Sequence, residues 1–215
     1  MSFEMILKQL TIGFGQTCLI FALTLVISLP VGMIVYFGRN CKFKPLSLLV
    51  KIYISIMRGT PLMLQLLLWY FGPFYLFGMN IGNYKFTAII LGCSLNYAAY
   101  FAEIYRSGSE SIPKGQYAAA PLVGYTTQQT FFKIILPQVV KIVLPSVTNE
   151  VITLVKDTSL VYSVSYIEMF ATAKQIAAAE TTIIPFIIAG VYYYIFNAVV
   201  AWIMATFEKK LNYYR

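Results

Sequence analysis

Five apolar runs, at residues 17–37, 52–77, 86–104, 134–155 and 183–207, constrain this chain more than any other feature. A transmembrane helix needs about 20 consecutive, mostly apolar residues. Each run comes close to or exceeds that length, and together they leave little chain for a soluble core. Composition agrees: 59% of the 215 residues are apolar and 11% are charged, where a soluble domain carries about a quarter charged residues. The expectation is an all-α polytopic membrane protein with about five transmembrane helices. It forms one domain over residues 1–215, with no internal repeat.

Several function classes drop out. The chain has no histidine and three cysteines, Cys18, Cys41 and Cys93, without metal-ligand spacing. Neither a metal site nor a disulfide framework is expected. Without histidine there is no Ser-His-Asp chemistry, and no G-x-x-x-x-G-K-[ST] phosphate loop occurs. No catalytic residues are assigned, and any use of ATP requires a partner.

The basic residues set the expected topology, because cytoplasmic loops carry an excess of Lys and Arg. Arg39, Lys42, Lys44 and Lys51 form one group, Arg106, Lys114, Lys133 and Lys141 a second, and Lys209, Lys210 and Arg215 a third. With five spans all three groups fall on one side, against Lys8, Lys85 and Lys174 on the other. This places the N-terminus outside, the C-terminus inside and the long hydrophilic segment, residues 105–133, in the cytoplasm. The net charge of +8 is then topological, and no nucleic-acid partner is expected. Residues 2–16 read as a mildly amphipathic lead-in to the first span. Residues 160–182 read as a mixed segment holding a short helix near the outer surface. Trp69, Tyr70, Phe71, Phe74, Tyr75 and Phe77 read as an interfacial aromatic belt.

Polar residues inside spans are costly and usually face a bundle interior or a watered cavity. Three stripes stand out: Lys51, Ser55, Arg58 and Gln65 in the second run; Asn96, Glu103 and Arg106 in the third; Ser146, Glu150, Thr153 and Asp157 in the fourth. Offsets of three, four and seven put each set on one helix face, so a shared cavity is expected. Buried ion pairs that fix packing are the plainer reading, and they suit Glu103 and Arg106 as an intramembrane pair or gate, with Lys156 as a further partner for a carboxylate. Arg58 and Asp157 each lie beside a helix-breaking sequence, Gly59-Thr60-Pro61 and Thr158-Ser159. Broken helices at membrane depth are tolerated where they line a cavity. The candidate substrate-binding residues are therefore Arg58, Thr60, Glu150, Asp157, Thr158 and Ser159, with Asp157 near an ammonium and Arg58 near a carboxylate. Glu150 is a second choice for a cationic side chain, or a partner for Lys156. An ion-coupled carrier or channel subunit working without an ATPase remains the alternative, with Glu103, Glu150 and Asp157 as its ion path.

Residues 115–137 read GQYAAAPLVGYTTQQTFFKIILP. The Ala-rich half favours helix, Gly124 allows a turn, and Thr126 or Thr127 can cap a second short helix. A merely solvated loop accounts for neither the alanines nor Leu122, Val123, Tyr125, Phe131 and Phe132. The stretch resembles the cytoplasmic signature E-A-A-x3-G-x9-I-x-L-P of ABC importer permeases. Ala118, Ala119 and Ala120 stand at E-A-A, after Gly115-Gln116; Gly124 follows, and Ile134, Leu136 and Pro137 complete the pattern. The blocks 57–62 (MRGTPL), 103–108 (EIYRSG) and 156–160 (KDTSL) are similar to those of the polar amino acid branch. The chain departs at one position: Ala118 stands where the signature has glutamate, with Glu110 the nearby acid.

The resemblance implies the permease of a type I bacterial importer in the cytoplasmic membrane, with residues 113–137 as the cytoplasmic coupling segment. Gly115, Ala118, Ala119, Ala120, Gly124 and Pro137 would meet the ATPase. Implied partners are two cytoplasmic ABC ATPases, a second permease (identical or related) and an extracellular solute-binding protein delivering a polar amino acid. The chain itself would hold no cofactor, ATP and Mg being used by the partner ATPase.

Overall fold

The computed structural model of the chain describes residues 1–211, so Arg215 of the basic tail lies outside the described residues. The described elements are helical: α1 (Phe3–Arg39), α2 (Lys44–Gly59), α3 (Leu62–Phe77), α4 (Lys85–Glu110), α5 (Lys114–Leu122), α6 (Thr127–Gln129), a π-helical turn (Thr130–Ile135), α7 (Leu136–Asp157), a 3-10 helix (Thr158–Val164), α8 (Met169–Glu180) and α9 (Ile184–Leu211). By length and composition α1, α4, the stretch Thr127–Val164 and α9 can each cross a bilayer. The bent pair α2 and α3 adds a fifth.

The first helix begins earlier than its apolar run. The Ser2 hydroxyl accepts from the Met5 backbone N–H at 3.4 Å and α1 runs unbroken from Phe3 through Pro30. The presumed lead-in is one-sided helix: Ile6, Leu10 and Gly13 are buried at helical spacing, Ile6 and Leu10 in a cluster with Met169, Ala173, Ile176 and Ala189 of α8 and α9. At 1.5 Å per residue, the 37 residues of α1 extend for about 55 Å.

Helix α4 is the axis of the bundle. Most of its length is buried, and α1, α2, α3 and α7 all pack on it. Two glycines permit the closest approaches. A Cβ on Gly32 of α1 would lie 2.8 Å from the Cβ of Phe101, and one on Gly108 of α4 would lie 2.2 Å from Cγ1 of Val143 in α7. Both distances are far inside van der Waals contact, so side chains there would push α1 and α7 off the axis.

The second run is interrupted at Thr60-Pro61, and the break is sharp. Helices α2 and α3 meet at a 113° bend across Thr60-Pro61, where proline removes a backbone donor. The freed carbonyls are taken up by two buried amides. Gln65 Nε2 donates to the Met57 carbonyl at 3.0 Å, the Thr60 carbonyl at 3.1 Å and Thr60 Oγ1 at 2.8 Å. Asn96 Nδ2 donates to the same Met57 carbonyl at 3.0 Å and to Gln65 Oε1 at 2.9 Å. Gln65 therefore does not extend the face of Lys51, Ser55 and Arg58. Its helix has turned away, and its side chain reaches back to hold the bend.

Residues 160–182 hold a short helix, α8, as expected. The 3-10 helix leads to α8, one face of which is buried against α1 and α9. Glu168, fully buried, caps it. This carboxylate accepts from the Phe170 and Ala171 N–H groups at 2.8 and 2.7 Å, from Thr17 Oγ1 at 3.2 Å and from the Tyr193 hydroxyl at 3.1 Å. One carboxylate thus ties together α1, α8 and α9.

Candidate functional site

The ends of the polar stripes on α4 and α7 farther from residues 113–137 converge with the α2–α3 bend on one cavity. It has a volume of about 400 Å³ and is lined by Thr60, Pro61, Leu62, Asn96, Tyr97, Tyr100, Glu150, Thr153, Asp157 and Leu160. Asp157 is partly buried, and one oxygen, Oδ2, accepts from the Tyr97 hydroxyl at 2.7 Å. Tyr97 is itself buried, its ring packed against those of Tyr100 and Phe101, so Asp157 is held in one orientation. Glu150 lies two turns back along α7 and lines the same cavity. Two carboxylates, two threonines and an amide in a space with no lysine or arginine on its wall favour a ligand carrying positive charge.

Arg58 is not in that cavity. It lines a neighbouring one of about 340 Å³, together with Tyr100, Glu103, Arg106, Ser146 and Glu150. Three arginines converge there on Glu103, and they are not equivalent. Arg39 donates to Oε2, while Arg106 donates to Oε1 through Nε at 2.9 Å and Nη2 at 2.5 Å. Arg106 also pairs with Glu110. Arg58 approaches Oε1 only to 3.9 Å, with its guanidinium 5.4 Å from the Tyr100 ring centroid. The expected Glu103–Arg106 pair is present. Arg39, read from sequence only as a topological charge, joins it from α1.

The remaining candidates are placed less centrally. Thr158 is buried and its hydroxyl donates to the Val155 carbonyl at 2.7 Å; Ser159 donates to the Lys156 carbonyl at 2.8 Å. Both hydroxyls are engaged with the end of their own helix rather than with a ligand. Lys156 is exposed and makes no ion pair among the described residues, so it joins neither the Glu103 cluster nor Glu150. Sequence reasoning passed over Tyr97 and Tyr100. Their signal was present, since Tyr100 lies three residues before Glu103 on the same face and Tyr97 one turn before Tyr100.

The segment 113–137 forms a compact protrusion joining α4 to α7, the two helices that carry both cavities. Helix α5 ends at Leu122, and the chain reverses at Gly124, whose φ of +85° favours glycine strongly. Thr126 and Gln129 then form a reciprocal cap, Thr126 N–H to Gln129 Oε1 at 3.0 Å and Gln129 N–H to Thr126 Oγ1 at 3.3 Å. Gly115, Ala118 and Ala119 are exposed, Ala120 is buried, and Pro137 lies at the start of α7. Leu122 and Val123 are 87% and 72% exposed. A pair of amides locks the protrusion to α7: Gln116 Nε2 donates to Gln138 Oε1 at 3.0 Å and Gln138 Nε2 to Gln116 Oε1 at 2.7 Å. Partial burial, and then the neighbouring Tyr36, raise the pKa of the Tyr117 phenol above its ordinary value. Glu110 pairs with Arg106 and its side chain is largely exposed.

A family model described as the binding-protein-dependent transport system inner membrane component matches residues 11–213. The chain belongs to that family. This inner membrane component is 33% identical over 94% of its length to the L-cystine transport system permease protein TcyB of Bacillus subtilis, covering 86% of that protein. It is 35% identical over 93% of its length to the arginine transport system permease protein ArtQ of the same organism, covering 91% of it. A chain of a crystallised amino acid ABC transporter with histidines superposes with a TM-score of 0.87 at 30% identity, over 98% of this chain and 99% of that one. The fold is shared more widely, with a TM-score of 0.74 at 20% identity to a chain of the inward-facing MetNI methionine ABC transporter. Membership sets the importer permease above the ion-coupled carrier.

Proposed function

We propose that the chain, a permease subunit of an ABC amino acid importer, forms by alternating access the path of a polar amino acid delivered by an extracellular solute-binding protein. The observation that carries this reading is the cavity in which Asp157 and Glu150 stand with Thr60 and no cation on the wall. Asp157 holds the substrate ammonium, and Glu150 favours a cationic side chain. Thr60 supplies an uncharged contact, while Thr158 and Ser159 shape the end of α7. The N-terminus lies outside and the C-terminus inside, which puts residues 113–137 in the cytoplasm as the coupling segment of a single domain.

Two ATPases bind there, and a second permease, identical or related, completes the membrane portion. ATP and Mg act in the ATPases, and this chain holds no cofactor. Closure of the ATPases moves α5 and the π-helical turn, and these rock α4 and α7 around the cavity. The test is competition by unlabelled amino acids for uptake of labelled L-arginine through the complete reconstituted transporter. Cationic amino acids should compete best, and Asp157→Asn should lower uptake while the complex still assembles. Wild-type uptake by that variant contradicts the assignment of Asp157.

A further inference from the structure

Arg58 and Glu150 share the second cavity without pairing. Glu103 is already saturated by hydrogen bonds from Arg39 and Arg106, so it leaves Arg58 only a long 3.9 Å contact. No hydrogen bond engages the guanidinium of Arg58 among the described residues, and its side chain is 42% exposed. Glu150, on the facing helix, likewise has no hydrogen bond or ion pair among the described residues. A guanidinium and a carboxylate that lack hydrogen-bond partners among the described residues, across a cavity of about 340 Å³, match the two charges of an amino acid's α-carbon groups. The volume falls within the small-molecule range, roughly 300–1,000 Å³. The guanidinium offers a planar fork for a carboxylate, and the face of Tyr100, shared by both cavities, offers an apolar surface between them.

We propose that this cavity is a second amino acid subsite, nearer the coupling segment than the Asp157 cavity, with the α-carboxylate on Arg58 and the α-ammonium on Glu150. It rests on the amino acid reading above and adds a second station. The ligand leaves Asp157 for Arg58 while Glu150, on the wall of both cavities, stays within reach of its positive charge. Arg39 and Arg106 keep Glu103 from competing for Arg58, so Arg58 takes a carboxylate without first breaking a strong ion pair.

The test titrates the intact permease–ATPase complex in nanodiscs, without ATP or binding protein, using L-arginine, L-glutamine and L-histidine and the α-amide of each. The wild type should prefer the free acid by about tenfold, the scale of one charge-assisted contact. Arg58→Gln should erase that preference by weakening the acid alone, and Arg58→Lys, which keeps the charge and loses the fork, should retain part of it. Asp157→Asn should weaken the amides, which lack the carboxylate for Arg58, more than the acids, and so raise the acid-to-amide ratio. An acid-to-amide ratio in Arg58→Gln equal to that of the wild type overturns the subsite and leaves the Asp157 reading standing. Affinities unmoved by Asp157→Asn, with the ratio still lost in Arg58→Gln, overturn the Asp157 reading and keep the subsite.

Discussion

Gln65 and Asn96 show how single side chains make a broken helix affordable inside a membrane. The bend after α2 frees the Met57 and Thr60 carbonyls, and lipid supplies no donor, so each would cost several kcal/mol if left bare. The two amides cover both. Asn96→Leu should therefore destabilise the complex by about 1–3 kcal/mol, the cost of buried groups left unsatisfied, read as a lower unfolding temperature in detergent. A larger effect is expected from Gly108→Leu, where side-chain atoms would have to occupy the space of Val143; that variant should fail to accumulate in the membrane. Part of this was legible in the residues. Gly59-Thr60-Pro61 announced a break, and the spacing of Glu150, Thr153 and Asp157 announced a cavity face. Gln65 was misplaced because a stripe count assumes one continuous helix, and the 113° bend voids that assumption beyond Gly59. Arg39 was missed for a different reason: its partner Glu103 is 64 positions away, and periodicity is blind to contacts between helices.

At the scale of elements, the segment 113–137 has the rigidity that the proposed coupling role requires. The Thr126–Gln129 cap stiffens its second half, the turn at Gly124 fixes its shape, and the Gln116–Gln138 amide pair fastens it to α7. Gly124→Asp combines strain at φ +85° with a charge on the exposed apolar tip of Leu122 and Val123. It should abolish co-purification of the ATPase while the permease still inserts, and normal co-purification would contradict the coupling role. Gln116→Leu, by contrast, should preserve docking and ATP hydrolysis yet reduce uptake per ATP severalfold, because the lever is loosened from α7. The helix–turn–helix form was readable from the alanines, the glycine and the threonine. The π-helical turn was not, since nothing in TFFKII differs in composition from an ordinary α-helical turn. The early start of α1 was hidden for a comparable reason: Lys8, Gln9 and Gln16 lower the apolar average, whereas the burial of Ile6, Leu10 and Gly13 depends on α8 and α9 lying alongside.

For the whole molecule, α4 is the wall shared by the two cavities. It carries Asn96, Tyr97 and Tyr100 at the first cavity and Glu103 and Arg106 at the second, and it ends where the coupling segment begins. Arg39 of α1 and Arg58 of α2 meet on Glu103, so three helices are tied at the end of the bundle nearest the coupling segment, while Glu168 ties α1, α8 and α9 at the other. Helix α7 carries Glu150 and Asp157 and begins where residues 113–137 end, the continuity on which the proposed coupling rests. The central claim is that this chain forms an amino acid path driven by a partner's ATP hydrolysis. Its most direct test is accumulation of labelled L-arginine in proteoliposomes holding the permease, its ATPase and the binding protein, with and without Mg-ATP. Uptake should be concentrative, need Mg-ATP and the ATPase together, and fall at least about tenfold in Asp157→Asn, the scale of one lost charge contact. Equal uptake by vesicles lacking the ATPase, driven by an ion gradient alone, would contradict it.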